Sequence, residues 1–448
     1  MNDIKFEPTK FLDWLRQENG EQTEFLQAAK EIAHSLESTI NNSTTFRVNK
    51  VLERLAQPDR IISFRVTWAD DNNDIHINTG WRVQQSNALG PYKGGLRFHP
   101  SVNESVLKFL AFEQCFKNSL TDLLLGGAKG GANFDPKGRT DHEIMRFCQA
   151  FMLELYRHIG PQTDVPAGDI NVGAREIGYL YGQYKNIKNE FGGYITGKDI
   201  EFGGSEVRTE ATGFGVIYFL EIALKHHDEE LCDKRIAISG AGNVATHAAY
   251  KAIEKDASVV SMSNSRGTLH VTDGLSADDL DWINENSTSD NVLKAFSKDH
   301  DKAQWLSNKK PWQLECDIAA PCATQNELDQ DDAKKLMSNG CKFIIEGANM
   351  PCTAQAIETF SEASALYIPG KASNAGGVAL SGLEMSQNAG FEQRGFAELD
   401  KQLHSIMHTI HEKCVHYGKQ EDGSINYADG ANLAAFQRLA SAIVSQGL

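Results

Sequence analysis

The sequence predicts an α/β protein of two domains flanking a cleft, and three observations point there. The chain has 448 residues, more than one core of ordinary size takes. Short β-type apolar runs alternate with helical patterns along most of it, as strands covered by helices require. A glycine-rich stretch, 192–215, with Gly192-Gly193, Gly203-Gly204 and Gly213, interrupts that alternation and marks the expected hinge.

Taken in order, residues 7–40 place Phe11, Trp14, Leu15, Phe25, Ala28, Ala29 and Ile32 at helical spacing. From Ile61 to Arg82 the period falls to two, with Ile62, Phe64, Val66 and Trp68 alternating, and the turn Asp70-Asp71-Asn72-Asn73 predicts a hairpin. There follow a strand at Gly95–Phe98, a helix over 105–120, the segment 123–133, a helix over 141–158, a strand at 163–165 and a helix over 174–189. The second half carries apolar runs at 236–238, 259–262, 318–320, 343–345 and 366–368. Because they are apolar throughout, they predict parallel strands covered on both faces. The closing segments 392–417 and 432–445 read as helices, the last returning to the first domain. The expected division is 1–200 with 426–448, and 201–425.

Composition narrows the role. Acidic residues outnumber Lys and Arg by 60 to 44, a formal charge of −16, so the overall field repels polyanions and argues against a nucleic-acid partner. No apolar stretch reaches the roughly 20 residues that span a bilayer, and the opening residues show no leader pattern. Eight scattered cysteines without a Cys-x-x-Cys pair suit a reducing, cytoplasmic setting.

The strand Arg235-Ile-Ala-Ile-Ser239 runs into Gly240-Ala-Gly242-Asn243-Val244-Ala245 and then a helical pattern. This is the glycine fingerprint of a Rossmann-type dinucleotide-binding domain in its required setting. Gly240 permits the turn, Gly242 lets backbone approach a pyrophosphate, Ala245 lets helix pack on strand, and the helix N-terminus faces the phosphates. Where a carboxylate would hold the ribose of NAD, the chain reads Ser261-Met-Ser263-Asn264-Ser265-Arg266-Gly. With no acid to repel a 2′-phosphate and Arg266 able to bind one, NADP(H) is expected over NAD(H).

Three lysines stand among glycines or small polar residues: Gly90-Pro-Tyr-Lys93-Gly-Gly-Leu-Arg, Gln114-Cys-Phe-Lys117-Asn-Ser and Gly126-Gly-Ala-Lys129-Gly-Gly-Ala. A fourth segment, Thr163-Asp-Val-Pro-Ala-Gly168-Asp169, adds carboxylates. The glycine flanks are expected to let backbone approach a ligand, and three lysines in an acidic protein predict a cationic pocket for a small dicarboxylate.

In order and over nearly the whole chain, these segments resemble the hexameric Glu/Leu/Phe/Val amino-acid dehydrogenases, and among them glutamate dehydrogenases of the small bacterial and fungal type. The likeness continues through Gly370-Lys-Ala-Ser-Asn374-Ala-Gly-Gly-Val378 and Ser381-Gly-Leu-Glu-Met-Ser. It implies a homohexamer that interconverts L-glutamate with 2-oxoglutarate and ammonium, assimilating ammonia. It also implies roles. Lys93 and Ser381, the latter reaching across from the second domain, take the side-chain carboxylate; Lys117 and Gln114 take the α-carboxylate; Gly168 and Val378 line the substrate; Lys129 activates water; Asp169 relays protons. Arg208, Thr212, Asn243, Ala323, Asn349 and Asn374 lie toward the coenzyme, although Asn326 and Asn374 also suit turns. Thr209 stands where proline is usual and Ala132 where a hydroxyl is common, neither touching a catalytic role. The segment 273–301 matches poorly, leaving further 2′-phosphate ligands unassigned. A branched-chain or aromatic amino-acid dehydrogenase, NAD or dual coenzyme use, or an inactive coenzyme-binding regulator are the alternatives. Lys93 and Ser381 speak against the first, Lys129 and Asp169 against the last.

Three features fit no role in this chemistry. His404, His408, His411, Cys414 and His416 share a helical segment but lack carboxylates, so no metal is expected. Cys322 has no His-Asp partner to make it a nucleophile. Glu327, Asp329, Asp331 and Asp332 are expected to start a helix.

Overall fold

The computed structural model describes residues 5–20, 22–287 and 291–447. The opening four residues, where no leader pattern was read, and residues 288–290 of the poorly matching segment lie outside them. The chain forms two compact units. One comprises Met1–Arg208, Val378–Leu399 and Asn432–Leu448, the other Thr209–Gly377 and Asp400–Ala431.

The first unit holds five strands: β1 Arg60–Ala69, β2 Ile75–Ser86, β3 Tyr92–Phe98, β4 Gly127–Ala132 and β5 Asp164–Gly168. Their order is β1-β2-β4-β3-β5. β1 and β2 form the predicted hairpin, β4 runs antiparallel to β2, and β3 runs parallel to both β4 and β5, so the sheet is mixed. The helix Asp141–Leu155 starts at a capping box in which Thr140 and Glu143 satisfy each other's backbone N–H groups. Its Ile144, Phe147, Phe151 and Leu155 enter a core with Val66, Leu96 and Phe98, and Phe147 stacks on Phe134 with centroids 3.7 Å apart. The helix stops at Leu155, ahead of the expected 158, and continues as a 3₁₀ turn, Tyr156–His158.

Among its described residues the second unit holds seven strands: β6 Arg235–Ile238, β7 Ser258–Asn264, β8 Gly267–Val271, β9 Ala303–Ser307, β10 Ile318–Ala320, β11 Phe343–Ile345 and β12 Leu366–Ile368. Their order is β12-β11-β10-β6-β7-β8-β9. The five apolar runs are the parallel strands. β8 and β9 add an antiparallel edge that the sequence did not announce. Their side chains mix polar with apolar, as in Gly267-Thr-Leu-His-Val271, so neither shows the unbroken apolar run of the parallel strands.

Three expectations need correction. Gly213 is not in a loop: it lies inside the helix Ala211–His226, where a Cβ would sit 2.4 Å from the Ala248 backbone N, so it lets that helix press on the helix Asn243–Glu254. Residues 376–390 form a helix that small and polar side chains concealed. Contacts also group Val378–Leu399 with the first unit and divide the chain at Arg208/Thr209 and Ala431/Asn432, whereas the sequence reading carried 201–425 entire into the second. The physical reason lies in the helix 376–390. Its Glu384 takes Lys198 Nζ at 2.6 Å and Gly197 N at 2.8 Å, Asn388 donates to Gly203 O, and Gln387 accepts from Ser205 Oγ. Ser381 therefore belongs to the first unit rather than reaching over from the second.

Candidate active site

Adjacent strands of the first unit carry two of the three lysines. Lys93 lies on β3 opposite Val165 of β5, Lys129 lies on β4, and Gly168-Asp169 ends β5. Gln114 and Lys117 share the helix Glu104–Leu120, whose N-terminus is capped by Asn103. The glycines flanking the lysines serve the sheet itself, which corrects the expectation that they admit a ligand. A Cβ on Gly94 would fall 1.7 Å from Ala128 O, and one on Gly95 2.6 Å from Gly168 O. Gly131, at φ +154°, would drive its Cβ to 2.1 Å from Arg97 O.

Beneath these strands lies an ion pair with no exposure. Arg82 of β2 gives two parallel bonds to Asp164 of β5, 2.9 and 2.5 Å, and a third to Gly94 O at 3.0 Å, while Gln84 Nε2 reaches Asp164 at 2.9 Å. Gly130 leaves room for the Arg82 stem, since a Cβ there would be 3.0 Å from Arg82 Cδ. Such a pair is harmless only when fully satisfied; removing one partner costs about 3–5 kcal/mol.

At the end of β5, Asp169 bridges two cations. Lys129 Nζ donates to Oδ1 at 2.7 Å and Arg97 Nε to Oδ2 at 2.6 Å. Burial works against the Asp169 carboxylate, but the Lys129 and Arg97 charges outweigh it and hold its pKa below the ordinary carboxylate range. Burial lowers the pKa of Lys129, Asp169 opposes that, and Arg97 adds to it; the net shift is downward. Lys93, 1% exposed, donates to Thr196 Oγ1 at 2.8 Å. Burial, then the neighbouring Arg208 charge, push its pKa well below the usual lysine value, with Glu384 pulling the other way. Arg208, expected beside the coenzyme, is thus close enough to Lys93 to act on it, within the first unit. Gln114 Nε2 donates to Asn118 Oδ1 at 2.6 Å. Gln114, Lys117, Gly168 and Val378 are half-buried and Ser381 is buried.

In the second unit the expected coenzyme residues follow the C-terminal ends of parallel strands, where ligands of open α/β sheets bind. Gly240 follows β6 at φ +90°. A Cβ on Gly242 would meet no protein atom within 4 Å, so no contact within the chain requires glycine there. Asn243 and Val244 open the helix Asn243–Glu254, and Asn243 Nδ2 donates to Thr209 O at 2.7 Å. Thr212 lies in the first turn of the helix Ala211–His226, half-buried. Ala323 follows β10, Asn349 follows β11, and both are exposed. Asn374, 5% exposed, donates to Gly347 O, Ala348 O and Asn349 Oδ1, while its own Oδ1 is buried without a partner. The orphaned Asn374 acceptor and the open space at Gly242 fit a coenzyme that offers an amide donor and a diphosphate. At the end of β7, Ser263 Oγ accepts from Gly240 N at 3.0 Å and so braces the turn, and Asn264 Nδ2 donates to Asn291 Oδ1 at 3.0 Å, which brings the poorly matching segment against it. Arg266 is exposed.

Of the features set aside, the histidines lie on the helix Phe396–Gly418, and His411 is buried with its ring nitrogen 2.9 Å from Tyr427 OH. Among the described residues no cluster could hold a metal ion, and no helix is long and apolar enough to cross a membrane. Burial pushes the Cys322 thiol far up, away from nucleophile chemistry. Asp329 caps the helix Gln330–Ser338 in a capping box with Asp332, whereas Glu327 stands before it and accepts from Ala323 N at 2.9 Å. Asn326 is a turn residue at φ 55°. The sequence reading missed Arg97, Thr196, the Arg82–Asp164 pair, Glu384 and Glu346. Arg97 and Glu384 stood inside quoted segments, but nothing local ties them to partners far along the chain.

Residues 203–447 match the family model described as Glutamate/Leucine/Phenylalanine/Valine dehydrogenase, and residues 58–186 match Glu/Leu/Phe/Val dehydrogenase, dimerisation domain. The chain is 51% identical over 440 residues to the NAD-specific glutamate dehydrogenase of Bacteroides fragilis, covering 98% of this chain and 99% of that protein. It is 49% identical over 444 residues to the NADP-specific glutamate dehydrogenase of a Psychrobacter species, again covering 98% and 99%. Among solved structures, Plasmodium falciparum glutamate dehydrogenase matches with a TM-score of 0.96 at 46% identity, covering 98% of this chain and 94% of that one.

Proposed function

This chain belongs to the glutamate/leucine/phenylalanine/valine dehydrogenase family, and we propose that it is a glutamate dehydrogenase, acting on a CH–NH₂ group with a nicotinamide coenzyme and using Lys129 and Asp169 at the reacting carbon. It converts L-glutamate, water and oxidised coenzyme to 2-oxoglutarate, ammonium, reduced coenzyme and a proton, or the reverse, and works chiefly in the direction that assimilates ammonia. The observation that carries this is the Lys129–Asp169–Arg97 cluster with the buried Lys93 on the neighbouring strand: a desolvated amine held by an ionised carboxylate, and a second lysine fit for a dicarboxylate.

Lys93 and Ser381 bind the side-chain carboxylate, Arg208 adds charge there, and Lys117 and Gln114 bind the α-carboxylate. Gly168 and Val378 line the substrate. Lys129, its pKa lowered mainly by burial, takes the proton of the water that attacks the iminium carbon. Asp169, ionised because two cations face it, accepts and returns protons at the nitrogen. When bound, the nicotinamide supplies the hydride acceptor or donor. The residues fit to hold the coenzyme are Gly240, Gly242, Asn243 and Val244 at the diphosphate, and Thr212, Ala323, Asn349 and Asn374 toward the nicotinamide. Ser263, Asn264 and Arg266 lie toward the adenosine ribose, where the lack of an acid in 261–267 supports NADP(H) over NAD(H). The matched dimerisation-domain model supports an oligomer, which we take as a cytoplasmic homohexamer.

The test is coenzyme oxidation with 2-oxoglutarate and ammonium, NADPH and NADH in parallel, then with branched-chain oxo acids. Turnover with 2-oxoglutarate and a kcat/KM at least tenfold higher for NADPH are expected. Turnover only with branched-chain acids overturns the substrate, and preference for NADH overturns the role of Arg266.

A further inference from the structure

We propose that Glu346 is a positioning residue for the coenzyme, its carboxylate clamping two loops so that Asn349 and Asn374 are set, and that it must be ionised to do so. The inference rests on the reading that those asparagines face the nicotinamide. Glu346 follows β11 and is 3% exposed. One carboxylate oxygen accepts from Gly370 N at 2.8 Å, the other from Cys352 N at 3.3 Å. It thereby ties both ends of the loop 346–352, which carries Asn349, to the short helix Gly370–Ser373, which ends at Asn374. Ser373 Oγ closes the same junction on the Glu346 carbonyl, and a Cβ on Gly370 would lie 2.5 Å from Ala348 O, so the loops have no slack.

Both oxygens are spent on N–H donors. A protonated carboxyl would turn an O–H toward one of those amides and lose that bond. The titratable groups that face Glu346 are the Tyr367 hydroxyl of β12 and the Cys352 thiol; burial, opposed by the Gly370 amide and these neighbours, raises its pKa to about 7. The clamp thus loosens within an ordinary working range of pH.

The experiment is direct titration of the full-length protein with NADPH and with NADH, following coenzyme fluorescence from pH 6 to 8.5, for wild type, Glu346→Gln, Tyr367→Phe and Asn374→Ala. Wild type should weaken as pH falls through about 7. Glu346→Gln should bind about tenfold more weakly at pH 8 and lack the step that wild type shows. Its kcat at saturating coenzyme and its KM for 2-oxoglutarate should stay within about twofold, a split that mere destabilisation would not produce. Tyr367→Phe, deprived of a hydroxyl that steadies the ionised form, should move the step to higher pH, and it decides the matter even where Glu346→Gln fails to fold. A step that persists in Glu346→Gln, or one that Tyr367→Phe leaves in place, overturns the inference. Unchanged binding by Asn374→Ala overturns instead the reading on which it rests.

Discussion

The residues proposed to bind substrate, in the first unit, and those proposed to bind coenzyme, in the second, are held by opposite means. In the first, charge is set against charge: Asp169 between Lys129 and Arg97, Asp164 against Arg82, Glu384 against Lys198, each at 2.5–2.7 Å. In the second, hydrogen bonds to neutral partners do the holding, an asparagine amide on three carbonyl-type oxygens and a carboxylate on two amides. A ligand that brings carboxylates needs cations whose solvation has already been given up, and those cations persist only with buried counter-charges. A ligand that binds by shape and amide groups needs loops fixed in place. Substitutions in the first unit should therefore change chemistry and substrate affinity steeply, and those in the second should change coenzyme affinity and its pH dependence.

The largest effect short of removing Lys129, the proposed catalytic lysine, is expected for Asp169→Asn. The loss of an ionised proton acceptor should lower kcat by about 10³-fold while the dissociation constant for coenzyme stays put. An equal loss in coenzyme binding would erase the contrast between the units. Lys93→Met should raise the KM for 2-oxoglutarate about 100-fold, the worth of a buried charge-assisted bond, with kcat changed far less; steady-state kinetics at fixed NADPH measures it. Next comes a pH effect on stability. Because the folded pKa of Glu346 is raised to about 7, the protonated form is the one folding favours, and stability is lost as pH rises from the ordinary glutamate value toward 7. Measured against Glu346→Gln, wild type should lose about 2 kcal/mol between pH 5 and 7, read from denaturant melts at each pH. A loss of that size on falling pH would reverse the sign and contradict the burial argument. The smallest effect is expected at Ser381→Ala, a rise of about fivefold in the KM for 2-oxoglutarate, with no change in the coenzyme constant.

The amino-acid sequence shows the elements on which this contrast rests, but not the contacts that make it. The parallel strands showed because burial on both faces demands unbroken apolar runs, and Gly240-Ala-Gly242 showed because few other roles need that spacing after such a strand. The lysines showed through their glycine neighbours, but for the wrong reason: the glycines relieve contacts such as Gly94 with Ala128 O, and the lysines stand there because those strands meet. β8 and β9 stayed hidden because polar residues interrupt their apolar ones and leave no unbroken run. Arg97 and Glu346 stayed hidden because their meaning lies in a partner elsewhere in the chain, Asp169 for one and Gly370 for the other. Local pattern reports a residue's element; it does not report which distant group will neutralise or tether it.

Lys129 bears the chemistry proposed here, so the most direct measurement is single-turnover reduction of 2-oxoglutarate by Lys129→Ala in ammonium at saturating NADPH, with coenzyme binding measured on the same sample. The rate should fall by about 10³- to 10⁴-fold with the coenzyme dissociation constant unchanged. A rate within tenfold of wild type in a correctly folded variant would show that the amine beside Asp169 is not the group that activates water.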